Sequence, residues 1–194
     1  MAVIPDSAAV RSLALRWSMA GITVAVVIAD QVTKSLVAAG RIKDGSSFGW
    51  VTVAVIRNHG ASGGLASGYP VLVTIAALAV TGLAAMLALR ASGRVAALCL
   101  AAVLGGALGN LSDRIFRSPG FGRGGVVDWI HFAGGGGSLD LSDLAIQFGV
   151  LGAIAGMLLA GRARKGSRPE ELESAAGRSD PPAPRPRRHP SSET

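Results

Sequence analysis

The stretch VAALCLAAVLGGALGNLSDR at residues 95–114 decides the fold class. Its apolar part, residues 95–112, carries no charge and is bounded by Arg94 and Asp113. A helix rising 1.5 Å per residue needs about 18–20 residues to cross the hydrocarbon core of a bilayer, and this run is long enough. Gly105, Gly106 and Gly109 remove side-chain bulk, so other helices can approach closely, as small residues allow in lipid.

Three further apolar runs lie outward from it. Residues 17–29 sit between Arg16 and Asp30, residues 69–89 end at Arg90, and residues 144–161 sit between Asp143 and Arg162. The first is short alone, but Val32 and Leu36 carry its helix past Asp30. The expected spans are therefore 13–37, 69–89, 95–112 and 143–161. Asp30 and Lys34 then fall one turn apart on one helix face. No small-x-small cleavage site precedes Asp30 and Gln31, so the first segment is read as retained rather than as a cleaved leader.

Composition agrees. Apolar residues make up 49% of the 194 residues but aromatics only 5%, so Ala, Val, Leu and Gly carry the hydrophobicity. The net charge is +7, yet eight of the 19 Lys and Arg lie after Gly161. That charge describes a tail rather than a basic face, and no stacking aromatics accompany it, so nucleic acid is excluded as a partner. Cys99 is the single cysteine, which excludes an internal disulfide and any multi-cysteine metal site. Residues 162–194 are rich in Arg, Pro, Ser and Glu and are read as a disordered basic cytoplasmic tail on a 1–161 membrane domain. In the long connections, residues 48–56 (FGWVTVAVI), within a 45–58 region, read as a strand. Residues 113–143 read as a loop with glycine clusters at 120–125 and 134–137. Four spans put both termini on one side. The terminal side carries twelve Lys and Arg against seven on the other, which places both termini in the cytoplasm.

The acids carry the chemistry. No glutamate precedes Glu170, and Asp30, Asp44, Asp113, Asp128, Asp140 and Asp143 all fall on one side of the membrane with this topology. Singly, each has an ordinary explanation: Asp140 and Asp143 can cap the fourth helix, and Asp113 with Arg114 can form an interfacial ion pair. Jointly they fit a carboxylate pair. Two aspartates that share one proton supply a base for water and an acid for a scissile carbonyl. Asp128, flanked by Val126, Val127, Trp129 and Ile130, has the apolar surroundings that hold such a proton, and Asp143 is its expected partner. His131, three residues on, is a candidate to tune Asp128, though a polar loop role has more weight; His59 and His189 read as incidental.

In order along the chain, Asp30-Gln31-Val32-Thr33-Lys34, Arg57-Asn58-His59-Gly60-Ala61, the block from Gly105 to Arg114, and Val126-Val127-Asp128-Trp129-Ile130 resemble the DQxTK, RNxGA, GGAxGNxxDR and VVDF blocks of bacterial lipoprotein signal peptidase (signal peptidase II). The resemblance implies a membrane all-α fold, a four-transmembrane-helix bundle with a small extracytoplasmic β cradle and the disordered tail. It implies an aspartic endopeptidase of the bacterial cytoplasmic membrane that cuts prolipoproteins before a diacylglyceryl-modified cysteine. Asp128 and Asp143 are implied as catalytic. Asp30, Lys34, Asn58, Asn110, Asp113 and Arg114 are implied to support the pocket or hold substrate, and Asp140, beside Asp143, is added to them as a candidate from its position. No metal and no organic cofactor is implied; the partners are lipid-modified prolipoproteins and membrane lipids, and the protein is expected to act as a monomer with its site on the extracytoplasmic face. Two departures stand out. Leu139-Asp140-Leu141-Ser142-Asp143 replaces the FNxAD block, and Ser62-Gly63-Gly64 stands where a Phe is usual. A third carboxylate at Asp140 is expected to raise the apparent pKa values of the pair unless Lys34 or Arg114 compensates.

Three other readings follow from the same residues. One is a catalytically impaired relative of that family, suggested by the altered fourth-helix block. Another is a metal-dependent membrane phosphotransferase holding Mg²⁺ on Asp140 and Asp143, although a DGxxAR-type element is absent. A proton-coupled carrier would need acids near the bilayer midplane, whereas these sit at helix ends.

Overall fold

The computed structural model describes residues 7–133 and 137–176. The quoted stretch forms α3 (Arg94–Phe116), and the helix with the most buried residues is this one. It packs against α1 (Ser7–Ala38) and α2 (Pro70–Arg90). Its glycines explain how. A Cβ at Gly105 would meet Val26 and the carbonyl of Thr23 on α1. One at Gly106 would meet the carbonyl of Ser142 on α4 (Leu141–Ala176). Glycines on two faces of one helix thus let two neighbours reach its backbone. Thr23 Oγ1 fastens the first contact by donating to Ala101 O at 2.9 Å.

Among the described residues, four helices are long and apolar enough to cross a membrane: Arg11–Ala38, Pro70–Arg90, Arg94–Phe116 and Leu141–Arg162. Large apolar side chains such as Val24, Ile28, Leu72, Ile75 and Leu151 stay exposed on them, the pattern expected where lipid is the solvent. The first helix does continue past Asp30. At its end Gly40 takes φ +67°, Gly40 N–H donates to Val37 O and Arg41 N–H to Leu36 O, a glycine C-cap that stops the helix and turns the chain.

At one end of the bundle lies a four-stranded antiparallel sheet in the order β1 (Ser47–Phe48), β2 (Val51–Asn58), β3 (Val126–Phe132), β4 (Ser138–Leu139). The strand expected at 48–56 is thus two strands, folded back at Gly49, whose φ is +64°. The 113–143 connection is not all loop. Its Val-rich centre forms β3, buried over Val126, Val127 and Asp128 against β2 and the ends of α1 and α3. Helix boundaries also shift. α3 runs on through Ile115 and Phe116, so Asp113 and Arg114 lie inside its last turns rather than beyond its end. α4 starts at Leu141, leaving Asp140 just outside.

Residues up to Leu158 form one compact unit. The second unit begins at Leu159, and the described backbone of α4 runs to Ala176. The remainder of the basic tail, residues 177–194, and residues 134–136 of the second glycine cluster lie outside the described residues.

Candidate active site

Lys34 organises the sheet end of the bundle. It is fully buried, and its Nζ lies 2.8 Å from Asp30, 2.9 Å from Asp113 and 2.6 Å from Asp140. It also donates to Asn110 Oδ1 at 3.0 Å. Asp30 comes from the preceding turn of α1, Asn110 and Asp113 from α3, and Asp140 from the residue before α4. An ammonium buried without counter-ions would be prohibitive, and so would three unpaired carboxylates; together they are tolerable. Arg117 adds a second cation, its Nε 2.5 Å from Asp113 Oδ1 and partly open to solvent. Gln31 ties the same groups, donating from Nε2 to Asp113 Oδ1 at 3.0 Å and Asp30 Oδ2 at 3.1 Å.

These acids also terminate α4. A helix begins with free N–H groups, and here two of them find carboxylates. Ser142 N–H donates to Asp30 Oδ1 at 3.1 Å, and Asp143 N–H donates to Asp140 Oδ1 at 2.7 Å. Asp140 is therefore the N-cap of α4. Gly109 makes room for the arrangement, since a Cβ there would run into Ser142 Oγ and the Asp30 carboxylate.

Asp128 approaches from the sheet. It lies opposite Ile56 in the β2–β3 register, so Asn58, two residues on, shares its face. Asn58 Nδ2 donates to Asp128 Oδ2 at 3.4 Å and Ser138 Oγ donates to the same oxygen at 3.0 Å. The neighbouring Val127 N–H donates to Asp113 Oδ2 at 3.2 Å, which pins β3 to α3. Asp143 is held from α3, where Asn110 Nδ2 donates to its Oδ1 at 3.0 Å. Asp128, Asp140 and Asp143 each offer a carboxylate oxygen within 4.8 Å of the others. A water making two hydrogen bonds of about 2.8 Å spans such a gap. Burial, first of all, pushes the Asp128 carboxyl up to about 6, and the Asp143 charge adds to this, while the Ser138 and Asn58 donors oppose it. Burial also raises Asp140, against the pull of the Lys34 ammonium.

The two acids of the expected pair line a groove of about 710 Å³. One wall is apolar and belongs to α2, through Leu72, Val73, Ala76, Ala77 and Val80. The opposite wall carries Asn58, Asn110, Arg114, Asp128 and Asp143. Arg114 is buried and donates from Nη2 to Gly60 O at 2.7 Å, fixing the turn after β2. That turn contributes Ala61, Gly63 and Leu65 to the groove rim, at the place where bulk was expected to be missing.

All nine residues singled out from the sequence gather at this end, but they divide. Asp128, Asp143, Asn58, Asn110 and Arg114 face the groove, whereas Asp30, Lys34, Asp113 and Asp140 form the closed cluster behind it. Arg117, Gln31 as a linker and Ser138 were not anticipated. Arg117 had a legible signal, standing one turn after Asp113; Ser138 had none beside its glycine run. His131 pairs with Thr52 and Ser138 in the sheet, and no hydrogen bond joins it to Asp128. A cation on Asp128, Asp140 and Asp143 fits poorly, because Asp140 already gives one oxygen to Asp143 N–H and the other to Lys34.

The family described as signal peptidase (SPase) II matches residues 22–159. A lipoprotein signal peptidase of Streptomyces coelicolor is 44% identical over 103 residues, 52% of this chain and 48% of that protein. One of Bifidobacterium adolescentis is 31% identical over 142 residues, 71% of this chain and 73% of that protein. The chain thus spans about half the length of the Streptomyces relative. A bacterial membrane enzyme solved by the in meso method at 2.3 Å resolution superposes with a TM-score of 0.60 at 28% identity, covering 72% of this chain and 87% of that one.

Proposed function

The chain belongs to the signal peptidase II family, and from this we propose that it is an aspartic endopeptidase that removes signal peptides from diacylglyceryl-modified prolipoproteins, cutting before the lipidated cysteine. The observation that carries the reading is the meeting of Asp128 and Asp143, one from a strand and one from a helix, within 4.8 Å on the polar wall of an otherwise apolar groove.

The chemistry follows from their surroundings. Asp128 Oδ2 accepts from both Ser138 and Asn58, which leaves Oδ1 to carry the shared proton. A carboxyl held near 6 keeps that proton long enough to donate it to a scissile carbonyl. Asp143, oriented by Asn110, takes the proton of the attacking water. The tetrahedral species collapses as the leaving amine is protonated, and the pair returns to its singly protonated state. Asn58, Asn110 and Arg114 offer donors to an extended peptide backbone, while the α2 wall suits acyl chains. Carboxylates and water suffice, with no metal in any step. The site lies at the bundle end opposite the short 91–93 connection and α1's beginning, and the excess of Lys and Arg on the terminal side supports an extracytoplasmic site with cytoplasmic termini.

The test is cleavage of a lipid-modified prolipoprotein by the purified protein in detergent. Wild type is expected to cut it, Asp128→Asn and Asp143→Asn to fail while remaining folded, and a chelator to change nothing. Loss of cleavage with the chelator, or full activity in either variant, would overturn the reading.

A further inference from the structure

Resting on that peptidase reading, we propose that Asp140 is a positioning residue that fixes Asp143 by two routes at once, through the Asp143 backbone and through Lys34 and Asn110. Its Oδ1 accepts the Asp143 N–H at 2.7 Å. Its Oδ2 meets Lys34 Nζ at 2.6 Å, Lys34 donates to Asn110 Oδ1 at 3.0 Å, and Asn110 Nδ2 donates to Asp143 Oδ1 at 3.0 Å. The contacts close a loop that begins and ends on Asp143.

The loop has a direction. An ammonium only donates, so Asn110 must turn its carbonyl oxygen to Lys34 and its NH₂ to Asp143. Lys34 therefore sets the Asn110 amide, the amide sets the Asp143 carboxyl, and Asp140 holds Lys34 in place while capping the turn that carries Asp143. Asp140 itself is fully buried and is not among the groove-lining residues, so it is no substrate contact. Its Oδ1 faces the Asp143 N–H and its Oδ2 the Lys34 ammonium. An Asn, as in the related FNxAD block, keeps the cap but forfeits the ion pair.

Asp140 also adds charge. Asp30 and Lys34 face it from α1, Asp113 and Arg114 from α3, Asp128 from β3 and Asp143 from α4. Removing one carboxylate from this group makes ionisation of the remaining pair easier.

The experiment measures kcat, KM and the pH profile of prolipoprotein cleavage for wild type, Asp140→Leu, Asp140→Asn and, in parallel, Asp128→Asn. Asp140→Leu is expected to lower kcat about 100-fold, the order of loss that a misplaced reacting group brings, with KM within about twofold. Asp140→Asn is expected to recover to within about tenfold of wild type, with the upper limb of its pH profile moved acidward by about half a unit. If Asp140→Leu does not fold, the Asp140→Asn profile decides. A raised KM with unchanged kcat, or an Asp140→Asn profile that superimposes on wild type, overturns the assignment. Inactive Asp128→Asn alongside either result sinks only this inference; active Asp128→Asn sinks the peptidase reading as well.

Discussion

Two aspartate clusters stand back to back at one end of this bundle, and only one of them faces open space. In the cluster around Lys34, three carboxylates share one ammonium, every contact is buried, and the groups hold α1, α3 and α4 together. In the pair, Asp128 and Asp143 have amides and a hydroxyl for neighbours and open on a groove of about 710 Å³. The residue type is the same, so the difference lies in the partner. The Lys34 ammonium ties its three carboxylates into the packing of α1, α3 and α4, whereas Asp128 and Asp143 stand beside amides, a hydroxyl and Arg114 on the groove wall, where burial pushes the Asp128 carboxyl up to about 6.

The widest separation between the clusters is expected in turnover. Asp128→Asn or Asp143→Asn should lower the cleavage rate by about 10²–10⁴-fold, the order attached to losing a general acid or base, with thermal stability retained. If both variants turn over normally, the distinction collapses. Lys34→Met probes the other side. It leaves Asp30 and Asp140 buried without a cation and Asp113 with Arg117 alone, which should cost about 3–5 kcal/mol of stability. Its melting temperature should fall well below that of wild type, and adding Asp140→Asn should recover part of the loss. An unshifted melting temperature would mean that the ammonium is not what holds the cluster.

Gly109→Ala is a finer probe, since the added methyl meets Ser142 and Asp30 rather than the groove. Overpacking of this kind typically costs about 1–3 kcal/mol. A stability loss of that size, with KM unchanged, keeps the clusters distinct; a changed KM would mean that they move as one.

Much of this division could be read from the chain and some could not. Hydropathy marks the spans because lipid-facing helices must be apolar along their whole length, and the blocks at Asp30–Lys34, Asn58, Asn110–Arg114 and Asp128 point to the right end of the bundle. What sequence does not carry is which acid meets which partner. Asp140 looks like a neighbour of Asp143 on one helix, but its decisive contact is with Lys34 on the first helix, far away in sequence. β3 was hidden for a different reason: a short apolar run between glycines has no period long enough to separate a strand from a loop that dips toward the membrane. The Asn110 amide has one sensible orientation only once Lys34 is seen beside it.

The smallest expected effect concerns stability rather than rate. Asp128 has its folded value raised from 3.8 to about 6, mainly by burial. A carboxyl raised on folding destabilises the folded state wherever the unfolded chain is ionised and the folded one resists ionisation. Stability is therefore fully kept below about pH 4 and declines as pH climbs toward and through about 6. Asp128→Asn has no charge to desolvate and keeps much of the shape. It should be more stable than wild type at about pH 8, by about 1–2 kcal/mol, and the gap should vanish near pH 4. Asp30 and Asp113 offer no such gain, because each is bound to the Lys34 ammonium and replacing one removes a partner. Should Asp128→Asn melt with wild type at every pH, burial would not be acting on the Asp128 charge, and the contrast between the two clusters would rest on access to the groove alone.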